Sequence, residues 1–155
     1  MSLRMPETEM GYIPPTVRQF SVFLDNRVGK MLELLEMLEE ATDVHVRATC
    51  VLDSSDHAVV RVLCDNADGA RFALRQNGFT FSEMDILVFE LVTDASLREA
   101  LRFLLAAEVN IAFTYPVNRA GDVDSAMAIA VDDHTFAGQI LLKKGFSLLG
   151  ELDLT

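Results

Sequence analysis

The residues best able to do chemistry sit in one short run, Asp25-Asn26-Arg27-Val28-Gly29-Lys30, between an alternating apolar segment and a helical one. A turn that feeds a helix leaves the helix's first backbone N–H groups unbonded and presents its positive end. A glycine there lets a ligand approach the backbone, and together these features suit a small carboxylate. The same run also reads as a solvated turn whose glycine relieves crowding, and both readings stand on the run alone. A second candidate, Asn110-Ile111-Ala112, follows another helix; its asparagine is either an amide that bonds a ligand or a turn residue that tolerates unusual backbone angles.

Other chemistry is poorly served. His45, His57 and His134 fall on different elements without metal-ligand spacing. Asp122, Asp124, Asp132 and Asp133 flank turns and a helix start, where capping and solubility account for them. Ser–His–Asp, CxxC, P-loop and GxGxxG patterns do not occur, so the chain reads as a non-enzyme with no catalytic residue, metal or cofactor. A formal net charge of -11 repels phosphate backbones and argues against nucleic acid. No apolar run approaches the roughly 20 residues of a membrane span, and the amino-terminal stretch lacks the apolar core of a secretory signal. Cys50 and Cys64 fall on consecutive strands about a turn near Ser54-Ser55, with Cys50 expected opposite Ala58 and Cys64 near Val44. That separation is too wide to bridge, and two buried thiols suit a reducing cytoplasm.

These residues are positioned by a sequence that is written twice. Val22-Phe23-Leu24 corresponds to Val88-Phe89-Glu90, Val44-His45-Val46 to Val109-Asn110-Ile111, and Asp65 to Asp132, at offsets of 66, 65 and 67 residues. In the first copy alternation predicts a strand over Val17–Asp25, with Gln19 and Ser21 on the outer face. A helix follows over Val28–Ala41, with glutamates outward. A strand over Val44–Leu52 should put Val44, Val46, Ala48 and Cys50 on one face. A turn at Asp53–Asp56, a strand over His57–Cys64, a helix over Asn66–Asn77 and a strand over Phe79–Met84 complete the unit. The second copy repeats this order: strand Ile86–Val92, helix Ser96–Ala107, strands Ile111–Val117 and Val123–Val131, helix Asp132–Lys144 and a last strand Phe146–Leu152. Ile86, Val88 and Val92 oppose Leu87, Phe89 and Leu91, so both strand faces are apolar. The face away from the helices is therefore expected to be covered by the sister unit or by another chain. The reading is α+β: an arm over 1–16, then two βαββαβ ferredoxin-like units over 17–84 and 85–155, antiparallel sheets with helices on one face, packed together. Units of about 65 residues are marginal alone and should stabilise each other.

With this doubled order around it, the run Phe20 to Leu35 resembles the opening of an ACT domain: a strand, Asp/Asn-x-Pro-Gly, then a helix. Val28 stands where that family usually has proline. Ala107-Glu108-Val109-Asn110-Ile111 resembles the family's helix exit and second-strand start. The resemblance covers roughly 17–152 and implies a stand-alone tandem ACT protein. It further implies a regulatory, allosteric module that binds an amino acid or similar small carboxylate between paired units, as a homodimer or higher homo-oligomer. A metabolic enzyme such as an acetolactate synthase is the partner suggested by analogy. By the same resemblance one site would combine Asp25, Asn26, Arg27, Val28 and Gly29 with Asn110, Ile111 and Ala112. Its pseudo-symmetric mate, Thr93, Asp94 and Ala95 with His45 and Val46, lacks both the glycine and the asparagine. The alternative is a structural or interaction protein in which the units serve only oligomerisation or partner binding.

Overall fold

A computed structural model describes the backbone of residues 7–8, 11–25, 27–53 and 57–155. Asn26 and the turn residues Ser54, Ser55 and Asp56 lie outside the described residues, as do residues 1–6 and 9–10 of the expected arm. Two short strands, β1 (Glu7–Thr8) and β2 (Gly11–Tyr12), pair antiparallel ahead of the main body. The main elements are β3 (Val17–Asp25), α1 (Lys30–Glu40), β4 (Val46–Asp53), β5 (His57–Cys64), α2 (Ala67–Gln76), β6 (Thr80–Leu91), α3 (Ser96–Ala106), β7 (Ile111–Val117), β8 (Ser125–Val131) and α4 (His134–Lys143). Six strands pair antiparallel in the order β4-β5-β3-β6-β8-β7, so the fold is the expected α+β arrangement.

Where two strands were expected across residue 85, one strand runs through. The first half of β6 pairs with β3, from Thr80 opposite Phe23 to Ile86 opposite Val17, and its second half pairs with β8, from Leu87 opposite Ile129 to Leu91 opposite Ser125. Nothing in Met84-Asp85 breaks extended backbone, so closing strand and opening strand fuse. The expected last strand, Phe146–Leu152, is reduced to a bridge between Leu148 and Phe89, with Glu90 N donating to Ser147 O and Leu149 N to Val88 O. The chain then leaves the sheet in a 3₁₀ turn, Glu151–Leu154.

Three apolar clusters give the layers. Helices α1 and α2 cover Phe20, Val22, Val60 and Val62; α3 and α4 cover Leu87, Phe89 and Ile129. Between the two half-sheets lies the third, where Val17, Leu63, Ile86 and Val88 meet Tyr115, Val117, Ala126 and Ala128. The sister unit therefore covers much of the second apolar face, and the order through the molecule is helices, half-sheet, half-sheet, helices.

The strand-face expectations change at two bulges. The ladder shifts between Val46 and Ala48, so Val44 and Val46 pack towards α1 and α2, whereas Ala48 and Cys50 face the central cluster. A one-residue slip turns every later side chain to the other face. The second unit repeats the device between Ile111 and Phe113. The cysteines follow this register: Cys50 stands opposite Arg61 and Cys64 opposite Val46, not opposite Ala58 and near Val44, and both thiols are free. Gln19, expected outside, is fully buried and its Oε1 accepts a 2.6 Å bond from Tyr115 Oη across the central layer. Asn118 N donates to Arg47 O at 2.7 Å where β7 meets β4, and the Arg61 guanidinium lies 3.6 Å over the Phe113 ring. Gly138 admits Pro14 against α4, since a Cβ there would sit 2.5 Å from the proline ring.

Tyr115→Phe leaves the buried Gln19 carbonyl without its donor. Urea denaturation should show a loss of about 1–3 kcal/mol, and Gln19→Leu combined with Tyr115→Phe should recover most of it. Burial pushes the Cys64 thiol up to about 12, with the Asp65 and Glu151 carboxylates adding to the shift. Because the thiolate is the nucleophile, native alkylation at about pH 8, far below that value, should label Cys50 well ahead of Cys64; equal labelling would show that the central and first-unit packing opens.

Candidate functional site

The β3–α1 turn is held by its own backbone. Arg27 N donates to Asp25 O at 2.8 Å and Lys30 N to Arg27 O at 3.3 Å. Gly29 occupies the N-cap position at φ +86°, a left-handed conformation that L side chains rarely adopt, and α1 starts without any side-chain cap. The Met31 and Leu32 amides of its first turn are thus left for solvent or a ligand. Nothing lies within 4 Å of where a Gly29 Cβ would stand, so the glycine is there for backbone angle and not for packing. Around the turn, Arg27 Nη2 is 3.3 Å from Asp25 Oδ2 and Lys30 Nζ 3.2 Å from Glu33 Oε2, both exposed pairs. Such pairs hold their geometry weakly and exchange readily with a ligand's charges.

Below the turn opens a concavity of about 250 Å³, lined by Leu24, Asp25, Arg27, Lys30, Met31, Val51, Ala58 and Val60. Cations, a carboxylate and an apolar floor meet there. The sequence pointed to Asp25, Arg27, Val28 and Gly29. It missed Lys30, Met31 and the strand residues Val51, Ala58 and Val60, which reach the turn only through the β3–β5–β4 register. That register was readable as alternation on consecutive strands, but not as proximity to this turn. Val28 is fully exposed, and neither it nor Gly29 lines this concavity; Gly29 stands at the rim of a larger groove along α1 and α2.

Asn110, Ile111 and Ala112 do not line it either, and no hydrogen bond or ion pair among the described residues joins them to the turn. Asn110 is exposed; its N donates to Asp132 Oδ1 at 3.2 Å and its O accepts from Asp132 N at 3.2 Å. Ile111 packs into the second unit's core. The first unit has the same tie: His45 N donates to Asp65 Oδ1 at 2.8 Å and His45 O accepts from Asp65 N at 3.1 Å. There the aspartate is nearly buried, and its Oδ2 also meets His45 Nδ1 at 2.7 Å and Arg47 Nη2 at 3.6 Å. The aspartate tie is thus a repeated structural device that fastens the start of one edge strand to the end of its neighbour.

The equivalent turn in the second unit is sealed. Thr93 N donates to Ser96 Oγ at 3.0 Å and Ala95 N to Thr93 Oγ1 at 3.3 Å, while the N-cap Ala95 has ordinary right-handed angles and Ser96 is buried. Hydroxyls of the turn thus occupy the Thr93 and Ala95 amides, whereas α3 itself, like α1, starts without a side-chain cap. A polar concavity beside Arg18, Arg71, Glu83 and Asp85 is likewise self-satisfied, with Arg71 bonded to Asp68 and Glu83 and Arg18 to Asp85. Among the described residues no group of three His, Cys, Asp or Glu could hold a metal ion, and no helix is long and apolar enough to cross a membrane.

Comparison with known proteins agrees with the fold. The family model described as an ACT domain pair matches residues 15–155. A solved protein, BT0572 from Bacteroides thetaiotaomicron, is 25% identical with a TM-score of 0.79, covering 91% of this chain and 96% of its own. The ligand-free regulatory subunit of aspartate kinase from Thermus thermophilus shares the fold at 11% identity and a TM-score of 0.56, covering 85% of this chain and 94% of its own. No curated protein matches.

Asn66→Ala should destabilise the fold by about 1 kcal/mol, because its side chain accepts the Gly69 amide at the start of α2. Removing Asp132, which ties Asn110, should loosen the start of β7 and accelerate hydrogen exchange at Asn110 while leaving the Asp25–Lys30 turn unchanged.

Proposed function

We propose, from the premise that the chain belongs to the ACT domain pair family, that it is a regulatory module without catalysis. Its ligand is an amino acid or similar small carboxylate, taken at the β3–α1 turn. The observation that carries this reading is the left-handed Gly29 at an uncapped helix start, in a turn whose Asp25, Arg27 and Lys30 line a concavity with an apolar floor. Free amides of α1, aided by Arg27 and Lys30, hold the carboxylate. Asp25 offsets the ammonium. Leu24, Met31, Val51 and Val60 take an apolar side chain, which favours branched-chain ligands.

Asn110, Ile111 and Ala112 enter as the strand that closes the site from across an interface between copies, Asn110 offering its amide to the ligand. The sealed turn at Thr93–Ala95 supports a single competent site per chain. Ligand held at an interface has different affinity for different arrangements of the two sides, and so biases assembly or the docking of an enzyme partner. The two free thiols suit a reducing cytoplasm.

Isothermal titration with the twenty amino acids should find binding at one ligand per chain. Gly29→Val should abolish it, since the valine strains the φ +86° backbone and obstructs the approach. Asn110→Ala should weaken it on the order of tenfold, and Ser96→Ala should leave it unchanged. The bound ligand at about 100 times its Kd should stabilise the fold by about 2.7 kcal/mol. Two equal sites per chain, or no stabilisation by any amino acid, would contradict the proposal.

A further inference from the structure

The duplicated helix pairs have diverged in charge. On α1 and α2 a concavity of about 740 Å³ carries Glu33, Glu36 and Glu40 over an apolar floor, and no basic residue lines it. Leu32 and Phe72 beside it are 59% and 66% exposed. Glu36 and Glu40 make no ion pair among the described residues. The counterparts of Leu32 and Glu36 at the 66-residue offset are Arg98 and Arg102, and those of Gln76 and Asn77 at the 67-residue offset are Lys143 and Lys144. All four cations are exposed and lack a carboxylate partner among the described residues, Lys144 resting 5.0 Å from the Phe103 ring. Most other described cations of the chain are already paired with carboxylates. Exposed apolar groups accompany these cations too: Leu105 at 75% and Phe136 at 45%.

Neither face can satisfy the other within one chain, because both half-sheets and the central cluster separate them. We propose that the α1/α2 face of one copy docks on the α3/α4 face of a second copy of this chain, head to tail. Charge complementarity selects this occupant. With a formal net charge of -11 two copies repel at long range, and a basic patch can meet its opposite only at close quarters, where screening leaves local pairs in control. The long stems of Arg98, Arg102 and Lys143 lie well over Leu32 and Phe72 while their heads reach Glu36 and Glu40, and a guanidinium over the Phe72 ring adds a cation–π contact. Because the two patches differ, the contact is heterologous and does not close after two chains. The inference does not rest on the ligand reading, since it uses neither Asp25 nor Asn110.

Sedimentation analysis of the full chain tests it. The native protein should associate beyond a dimer as concentration rises and dissociate at about 1 M salt, where the Debye length is roughly 3 Å. Glu36→Arg with Glu40→Arg, and separately Arg102→Glu with Lys143→Glu, should each weaken association on the order of tenfold or more, with unchanged circular dichroism because all four side chains are exposed. Mixed together, the two variants should associate again, since each retains the face the other lacks and the two reversed faces are themselves of opposite charge. A native chain that stays monomeric to about 1 mM would overturn the proposal and leave the groove to a basic helix of another protein. Association unaltered in both variants, or a mixture that fails to pair, would overturn it equally.

Discussion

The helices of each unit cover one face of its strands, and the other face, equally apolar, has to be buried by something else. Here each half-sheet buries the other. That single requirement fixes most of what distinguishes the molecule from two ferredoxin-like units on a string. It draws Gln19 inside, where the Tyr115 hydroxyl donates to its Oε1 and its Nε2 donates to Ser21 Oγ. It demands a bulge at Arg47 and another near Ala112, so that each edge strand can feed its own helix-side core at one end and the shared core at the other. It runs β6 unbroken through both units, which makes their relative orientation a property of one strand and not of a hinge.

Against this shared frame the two turns into α1 and α3 are free to differ. Their backbones lie at equivalent places, and both helices begin without a side-chain cap. In the second unit a threonine and a serine spend their hydroxyls on the turn's own amides. In the first unit a glycine holds a left-handed angle and nothing fills the space beside it. The same duplication that gives the fold its symmetry thus leaves one open turn and one closed turn. The helical faces have diverged in a second direction, acidic on one side and basic on the other, as a scaffold whose core is already complete permits.

Much of this was legible in the sequence. The strand Val17–Asp25 follows directly from alternation, and the hairpin return His57–Cys64 and the strand Ile111–Val117 from their places in the repeated unit. The cover on the second sheet face was signalled by Ile86 and Val88 opposing Leu87 and Phe89. What escaped depends on pairing over long distances. A bulge leaves no mark in Val46-Arg47-Ala48, and polar Gln19 gave no hint that Tyr115 would reach it from far along the chain. Phe146–Leu152 has strand composition, yet it turns away after brief contact with β6. The site was half legible: the glycine turn declared itself, whereas Met31, Val51 and Val60 join it only once the strands are in register. Asn110 lies apart from that turn within one chain, its backbone tied to Asp132.

The central claim is that one turn of the pair is built for a ligand and its twin is not. Amide hydrogen exchange, resolved residue by residue with and without a saturating amino acid, tests it most directly. The account predicts slowed exchange at Gly29, Met31 and Leu32, with Ser96, Leu97 and Arg98 unchanged. Equal protection at both helix starts, or protection confined to Ser96–Arg98, would contradict it.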